Sequence, residues 1–154
     1  MFDLFHILYI TPFYFPNGQS APKNKYYIPI FLEGDEIIFV FLPTSKIKIE
    51  PSKIKHGCHD VSKGSYTCYI FQEKVEITDC GFYFDFDTCV YSYQINAFSK
   101  PMIEDVYKVE DVDFEIIGEL KKTEKIALIQ CLLNSKFIKL KVKRALSKYL
   151  TDIS

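Results

Sequence analysis

The chain has 154 residues and a mass of 18.0 kDa, which is the size of one domain with its own core and excludes a multidomain machine. Hydrophobic residues make up 48% and charged residues 25% of the chain, a composition that excludes a disordered or collagen-like protein. The net charge of −1 hides a division, because residues 121–154 carry nine positive and two negative side chains. This basic segment is predicted to be either a solvated helix face or a contact surface for phosphates or an acidic partner.

The first third of the chain predicts β-strands. Leu4 to Tyr14 is rich in β-branched and aromatic residues and is followed by turn residues. Tyr26 to Leu32 is a second apolar run, in which Pro29 indicates an edge strand or a bulge because proline has no N–H for a ladder. Ile37 to Leu42 is uniformly apolar, so we expect it to form a hairpin with the preceding run and to be buried on both faces. Ile47 to Gly64 is predicted to be a long loop.

Three more short strands are predicted before any helix, at a spacing typical of a small barrel. They are Tyr66 to Phe71, Phe82 to Phe86 and Thr88 to Ile95.

Helical periodicity begins near Lys121, with Thr123 as a candidate N-cap. A second helix through Leu150 is predicted, although residues 138–143 alternate as in a strand. The predicted fold is therefore mainly β with C-terminal α, as a single domain of residues 1–154. In it, residues 1–120 form a small antiparallel barrel and residues 121–150 form one or two helices.

The N-terminal segment is not expected to be a secretion signal, since it contains Asp3, His6 and Pro12 and has no basic region or small-residue cleavage site. No run approaches the roughly 18 apolar residues of a membrane span. An odd number of cysteines without an export signal predicts reduced thiols in the cytoplasm. The cysteines are Cys58, Cys68, Cys80, Cys89 and Cys131.

The first group of candidate functional residues combines ammonium and hydroxyl groups. Lys23 and Lys25 come just before the second apolar run, and Thr44, Ser45 and Lys46 follow the third. In a tight hairpin these two ends meet, so the side chains can converge on one phosphate and on the charge that develops at its oxygens during transfer. The alternative is an ordinary hairpin with surface lysines.

A second group contains His56, Cys58 and His59, with Cys68 further along. Imidazole and thiolate are zinc ligands, although the spacing lacks a C-x-x-C pair. The alternatives are buried thiols with loop histidines, or histidines that act as general acid or base.

A third group consists of carboxylates that could hold a divalent metal. Valine and tyrosine residues interrupt it, which favours the exposed acidic face of a strand or connection. Its members are Glu104, Asp105, Glu110, Asp111, Asp113 and Glu115.

The order of features is more informative than any one of them. A Pro16-x-Gly18 loop is followed by Lys25 and by a strand ending in Leu42-Pro43-Thr44-Ser45, and Ile117-Gly118-x-Leu120 precedes a helix that opens with Thr123-Glu124. This order resembles the PemK/MazF-like toxins of type II toxin–antitoxin systems. The resemblance implies an SH3-like barrel with a C-terminal helix. It also implies a homodimeric endoribonuclease that needs neither metal nor cofactor, cleaves single-stranded RNA and is neutralised by an acidic antitoxin protein.

The resemblance also implies residue roles. Lys25 takes the position of the family's basic residue, which assists attack of the ribose 2′-hydroxyl on phosphorus, and Thr44, with Ser45 beside it, takes the position of the hydroxyl residue. The family has Arg before Pro where this chain has Lys25 before Tyr26, and the chain's only arginine is Arg144. The residues expected on the RNA path are Lys23, Lys46, Lys48, Lys53, Lys55, His56 and His59. Two alternatives remain open: a non-catalytic barrel that binds RNA or protein, and a small zinc-stabilised interaction protein.

Overall fold

The computed structural model describes residues 3–13, 23–42, 54–61 and 66–154. The predicted class, mainly β with C-terminal helices, is confirmed. In chain order the elements are β1 (His6–Phe13), β2 (Lys23–Glu33), β3 (Glu36–Leu42), β4 (Gly57–Val61), β5 (Tyr66–Phe71), β6 (Thr88–Tyr91), β7 (Ile95–Ser99), α1 (Lys100–Val106), β8 (Phe114–Glu119), α2 (Lys122–Leu133) and α3 (Leu140–Ile153).

The larger sheet has the order β7-β3-β2-β1-β8, and all of its neighbouring strands are antiparallel. The hairpin of β2 and β3 was predicted and is confirmed. Because β2 lies between β1 and β3, the expectation of an edge strand at Pro29 was wrong, whereas the expected bulge is present as a register shift between Pro29 and Phe31. The Pro29 carbonyl accepts a hydrogen bond from the Phe5 N–H at 2.9 Å, which ties the start of the chain to the centre of the sheet.

The smaller sheet has the order β4-β5-β6. Its strand β4 lies within the segment predicted as a loop, while β5 has the predicted bounds. The predicted strand Phe82 to Phe86 is wrong, since this segment turns back on the chain through backbone bonds from Lys74 N–H to the Phe84 carbonyl and from Ile77 N–H to the Phe82 carbonyl. The predicted strand Thr88 to Ile95 is divided into β6 and the start of β7.

Pairing between strands does not close either sheet within the described ranges. The larger sheet ends at β7 and β8, and the smaller ends at β4 and β6. In this part of the chain the predicted barrel is therefore replaced by two sheets, which meet where β3 packs against β6.

The main core lies between the two sheets and the C-terminal helices, and includes Ile28, Val40, Phe71 and Leu128. A second cluster covers the opposite face of the larger sheet, where Ile103 and Tyr107 from the region of α1 pack on Phe39. Because both faces of β3 are covered, residues 37–40 and Leu42 have the burial expected from the sequence.

Of the one or two C-terminal helices predicted, the first is confirmed as α2, and the second, which the sequence left open, is present as α3. The backbone of Lys121 is extended and forms the N-cap of α2, so the predicted cap Thr123 lies inside the first turn. The strand-like alternation after residue 137 is resolved as helix, because Val142 and Leu146 of α3 are buried one turn apart. The short helix α1 was not predicted. Among the described residues, no helix is long and apolar enough to cross a membrane.

The prediction of five reduced thiols was wrong for two of them. Cys58 of β4 and Cys131 of α2 form a disulfide, with Cα atoms 5.5 Å apart and a sequence separation of 73. Packing of α2 on β4 brings the two together, and that packing has no signal in the spacing of the cysteines. Cys68 and Cys89 are buried thiols and Cys80 is an exposed one.

Candidate functional site

The predicted catalytic lysine lies near the start of β2. Lys25 is half-buried and is opposite Ile10 of β1 in the ladder. Its neighbour Tyr26 is opposite Leu42, the last residue of β3, so β3 ends beside Lys25. Thr44 and Ser45 follow that strand end by two and three residues in sequence and lie outside the described residues.

Two of the five lysines predicted to bind RNA lie in the part of the chain that the structure describes. Lys23 is the first residue of β2 and is opposite Phe13, and Lys55 is exposed just before β4. The carbonyl of Lys55 accepts a hydrogen bond from His59 Nε2 at 2.8 Å, so the structure brings these two predicted residues together. Lys46, Lys48 and Lys53 lie outside the described residues.

His56 is held at both ring nitrogens. Its Nδ1 accepts a hydrogen bond from the Gln72 N–H at 3.1 Å, so Nε2 carries the hydrogen and donates to Glu124 Oε1 at 2.7 Å. The Tyr69 hydroxyl donates to the same oxygen at 2.9 Å. Burial and the Glu124 carboxylate raise the pKa of Tyr69. This network joins α2 to the smaller sheet, and a proton-transfer role for His56 would require one of these bonds to break.

The disulfide removes one of the predicted zinc ligands. Cys58 is bonded to Cys131 and has no thiolate to offer, whereas Cys68 is fully buried in the cluster on the other side of β5. Among the described residues, no group of three or more potential ligands is placed to hold a metal ion.

Carboxylates of the acidic group stabilise the turn between α1 and β8. The Asp113 carboxylate accepts hydrogen bonds from the N–H groups of Lys108 and Val109 at 3.1 and 3.0 Å. Asp105 lies 3.3 Å from Lys108 and Glu104 lies 3.8 Å from Lys100. The predicted role as an exposed acidic connection agrees with this placement.

An aromatic cavity of about 340 Å³ lies beside β2 and was not predicted from the sequence. Its aromatic lining residues are Tyr26, Phe82, Tyr83, Phe84 and Phe86. The Tyr26 and Phe84 rings meet edge to face at 5.2 Å, and Tyr26 also packs on Tyr9 at 4.8 Å. Side chains of β2 alternate between the two faces of the sheet. Tyr26 therefore lies on the same face as Tyr9, and Lys25 lies on the opposite face.

Carboxylates surround the same cavity. Asp85 and Asp87 line it, and Lys74 Nζ lies 2.5 Å from Asp85 and 5.4 Å from the centre of the Tyr83 ring. Burial, then the Tyr9 hydroxyl, Glu115 and Asp85, raise the pKa of Tyr26. The only sequence signal for this cavity is the alternation of aromatic residues and aspartates at residues 82–87, a pattern that also predicts a strand.

Comparison with protein-family models, curated proteins and solved structures gives no match to this chain.

Proposed function

We propose that the chain is an endoribonuclease of the toxin type that cleaves single-stranded RNA. The ribose 2′-hydroxyl attacks the adjacent phosphorus, the bond from phosphorus to the 5′-oxygen breaks, and the products are a 2′,3′-cyclic phosphate and a 5′-hydroxyl. Because the nucleophile belongs to the substrate, catalysis depends on orientation and on stabilising the charge of the transition state. Lys25 supplies positive charge, while Thr44, with Ser45 beside it, positions the phosphate.

The observation that carries this proposal is the register of β2 and β3. The ladder between these strands ends with Tyr26 opposite Leu42, so the half-buried Lys25 lies beside the end of β3, and Pro43 and Thr44 follow that end in sequence. This register supports the resemblance to the toxin family, because Lys25 lies beside the end of the strand that precedes Thr44 and Ser45 in sequence.

The proposal includes a homodimer, an acidic antitoxin partner and a cytoplasmic location. Exposed positive side chains on and before α3, at Lys136, Lys139 and Arg144, support an acidic partner, as does the Lys46 to Lys55 segment by composition. A disulfide is uncommon in the cytoplasm, which makes the oxidation state of Cys58 and Cys131 a point to measure.

The test is cleavage of a long single-stranded RNA in EDTA, with analysis of the product termini. We expect a limited set of cuts with cyclic phosphate ends, a loss of at least about 100-fold in rate for Lys25→Ala and Thr44→Ala, and no change for the matched Lys108→Ala. Lys25→Arg should retain activity, since guanidinium pairs with phosphate through two hydrogen bonds. Intact RNA, or equal cleavage by all variants, would contradict the proposal.

A non-catalytic RNA- or protein-binding domain is the second candidate. The observation that favours it is the absence of arginine from residues 1–143, since Arg144 is the only one and lies on α3. A lysine is a point charge and does not grip a phosphate through two fixed donors. RNA binding without cleavage, unchanged by Lys25→Ala, would support this candidate.

A further inference from the structure

We propose that the aromatic cavity beside β2 is a nucleobase pocket that prefers guanine. This inference rests on the proposed function in one respect: an unpaired base of single-stranded RNA is the natural occupant. The pocket includes Tyr26, the residue after the proposed catalytic Lys25. The two side chains lie at the same strand end but on opposite faces of the sheet.

The walls of the cavity suit a flat ring. Its volume of about 340 Å³ is near the lower limit for ligand pockets and accommodates one base. Phe84 is 7% exposed and holds Phe82 and Tyr26 edge to face at 5.1 and 5.2 Å. In contrast, Phe86 is 79% and Tyr83 is 43% exposed. Exposed aromatic rings provide flat surfaces on which single-stranded bases stack.

The polar groups of the cavity are hydrogen-bond acceptors. Asp87 Oδ1 accepts a bond from the Glu73 N–H at 2.9 Å, which orients the carboxylate and leaves its remaining lone pairs for a ligand. Guanine offers two adjacent donors, N1–H and the N2 amino group, and these match a carboxylate. Uracil flanks its single donor with two carbonyl oxygens, which a carboxylate repels. Adenine and cytosine have one amino donor next to an acceptor, so their expected affinities lie between those of guanine and uracil.

The charges at the cavity favour a neutral occupant. Asp87 repels a phosphate, whereas the charge of Asp85 is offset by Lys74, so the base and not the backbone enters. An organic cation would also suit aromatic rings and carboxylates. However, the ammonium of Lys74 already lies against Asp85 and the Tyr83 ring, and so competes with a ligand cation for these two groups.

The experiment is an NMR titration of the intact protein with guanosine, adenosine, cytidine and uridine, with tetramethylammonium as a competitor. We expect guanosine to bind about tenfold more tightly than uridine, the ratio that one well-placed pair of hydrogen bonds provides. Asp87→Asn keeps an oxygen for the Glu73 N–H but replaces an acceptor with a donor. This substitution should weaken the binding of guanosine about tenfold and change the binding of adenosine little. Phe86→Ala should weaken the binding of every nucleoside. Phe137→Ala, which removes an exposed ring elsewhere, should weaken the binding of none.

Several results would overturn the inference. These are equal affinity for the four nucleosides, no binding at about 5 mM, guanosine binding that is unaffected by Asp87→Asn, or displacement by tetramethylammonium at lower concentration than guanosine requires. The titration involves no cleavage, so its outcome is separate from the nuclease assay. Guanosine binding that depends on Asp87 alongside intact RNA would remove only the proposed catalysis, and cleavage without base preference would remove only the pocket.

Discussion

Glu119 and Lys125 form an ion pair where β8 leads into α2. The hydrogen bond from Lys125, together with its charge, lowers the pKa of Glu119 despite the opposing effect of burial. Burial acts to lower the pKa of Lys125, but the bonds with Glu119 and Tyr149 outweigh it and raise that pKa. A carboxyl group whose pKa is lowered by folding stabilises the protein above its ordinary pKa of 4.5, and this contribution disappears as the pH falls through the lowered value.

Glu119→Gln should therefore lower the free energy of unfolding at neutral pH by about 1 kcal/mol, the scale for a solvent-screened ion pair. The difference from the wild type should be smaller at about pH 3, because the contribution of Glu119 declines as the pH falls toward its lowered pKa. Urea unfolding at the two pH values measures it. Glu104→Gln, which removes a more open pair with Lys100 at 3.8 Å, is the matched control and should have a smaller effect. Equal destabilisation at both pH values would show that Glu119 acts through packing and not through charge.

At the scale of elements, α2 is joined to the smaller sheet by a disulfide and by hydrogen bonds. The Cys58–Cys131 disulfide links it to β4, the Thr67 hydroxyl donates to the Cys131 carbonyl at 3.0 Å, and Glu124 receives bonds from His56 and Tyr69. Covalent and polar links together fix the helix against β4 and β5, so we expect reduction to weaken the whole fold and not only one loop.

Reduction should lower the free energy of unfolding by about 4 kcal/mol, the chain-entropy estimate for a loop of this length. Urea unfolding with and without a reductant measures the difference, and Cys80→Ala, which removes an exposed thiol, should leave it unchanged. Alkylation of the unfolded chain should label three cysteines without reductant, in line with the three free thiols, and all five with it. Labelling of five cysteines without reductant would show that the thiols are reduced.

On the scale of the whole molecule, positive charge is concentrated in residues 121–154, which carry a net charge of +7, whereas the aromatic cavity is bordered by aspartates. An RNA strand that places a base in the cavity would therefore find phosphate partners elsewhere, and the exposed lysines before and on α3 are the candidates. Binding driven by such charge pairing weakens steeply as salt rises.

Replacing Lys136 and Lys139 by Gln in the Lys25→Ala background should reduce the dependence of RNA affinity on salt. The slope of log K against log salt should become shallower by about 0.7 for each phosphate that the protein no longer neutralises. The matched double variant Lys100→Gln/Lys108→Gln, in the acidic region around α1, should keep the original slope. Fluorescence anisotropy of a labelled RNA over a range of salt concentrations measures both, and equal slopes would exclude this segment from the RNA path.

Local patterns account for the elements that sequence predicted well. β1, β2, β3 and β5 are runs of apolar and β-branched residues bounded by turns, and α2 has helical periodicity, so each is specified by its own residues. Pro29 indicated the bulge correctly, but a missing N–H does not reveal that another strand lies on either side. Likewise, Phe82 to Phe86 has the composition of a strand, yet its backbone bonds are made with residues 74 and 77.

Long-range packing accounts for most of what sequence did not predict. Cys58 meets Cys131 only because α2 crosses β4, and Tyr26 meets Phe84 only because the segment after β5 folds back on β2. Of the predicted site, Lys25 lies at the expected strand end, and Lys55 and His59 come together. His56 was expected on the RNA path and is engaged instead in holding α2, a role that depends on a partner 68 residues away.

The pairing of β1 with β8 affects how the chain becomes folded. β1 lies inside the larger sheet, and its second neighbour begins only at Phe114. During synthesis from the N-terminus, the hydrogen-bonding groups on that side of β1 stay unpaired until more than two thirds of the described chain has been made. Pairings between distant residues are slow to form, and an open strand edge invites pairing with other chains. The nascent protein is therefore most prone to aggregation before β8 arrives.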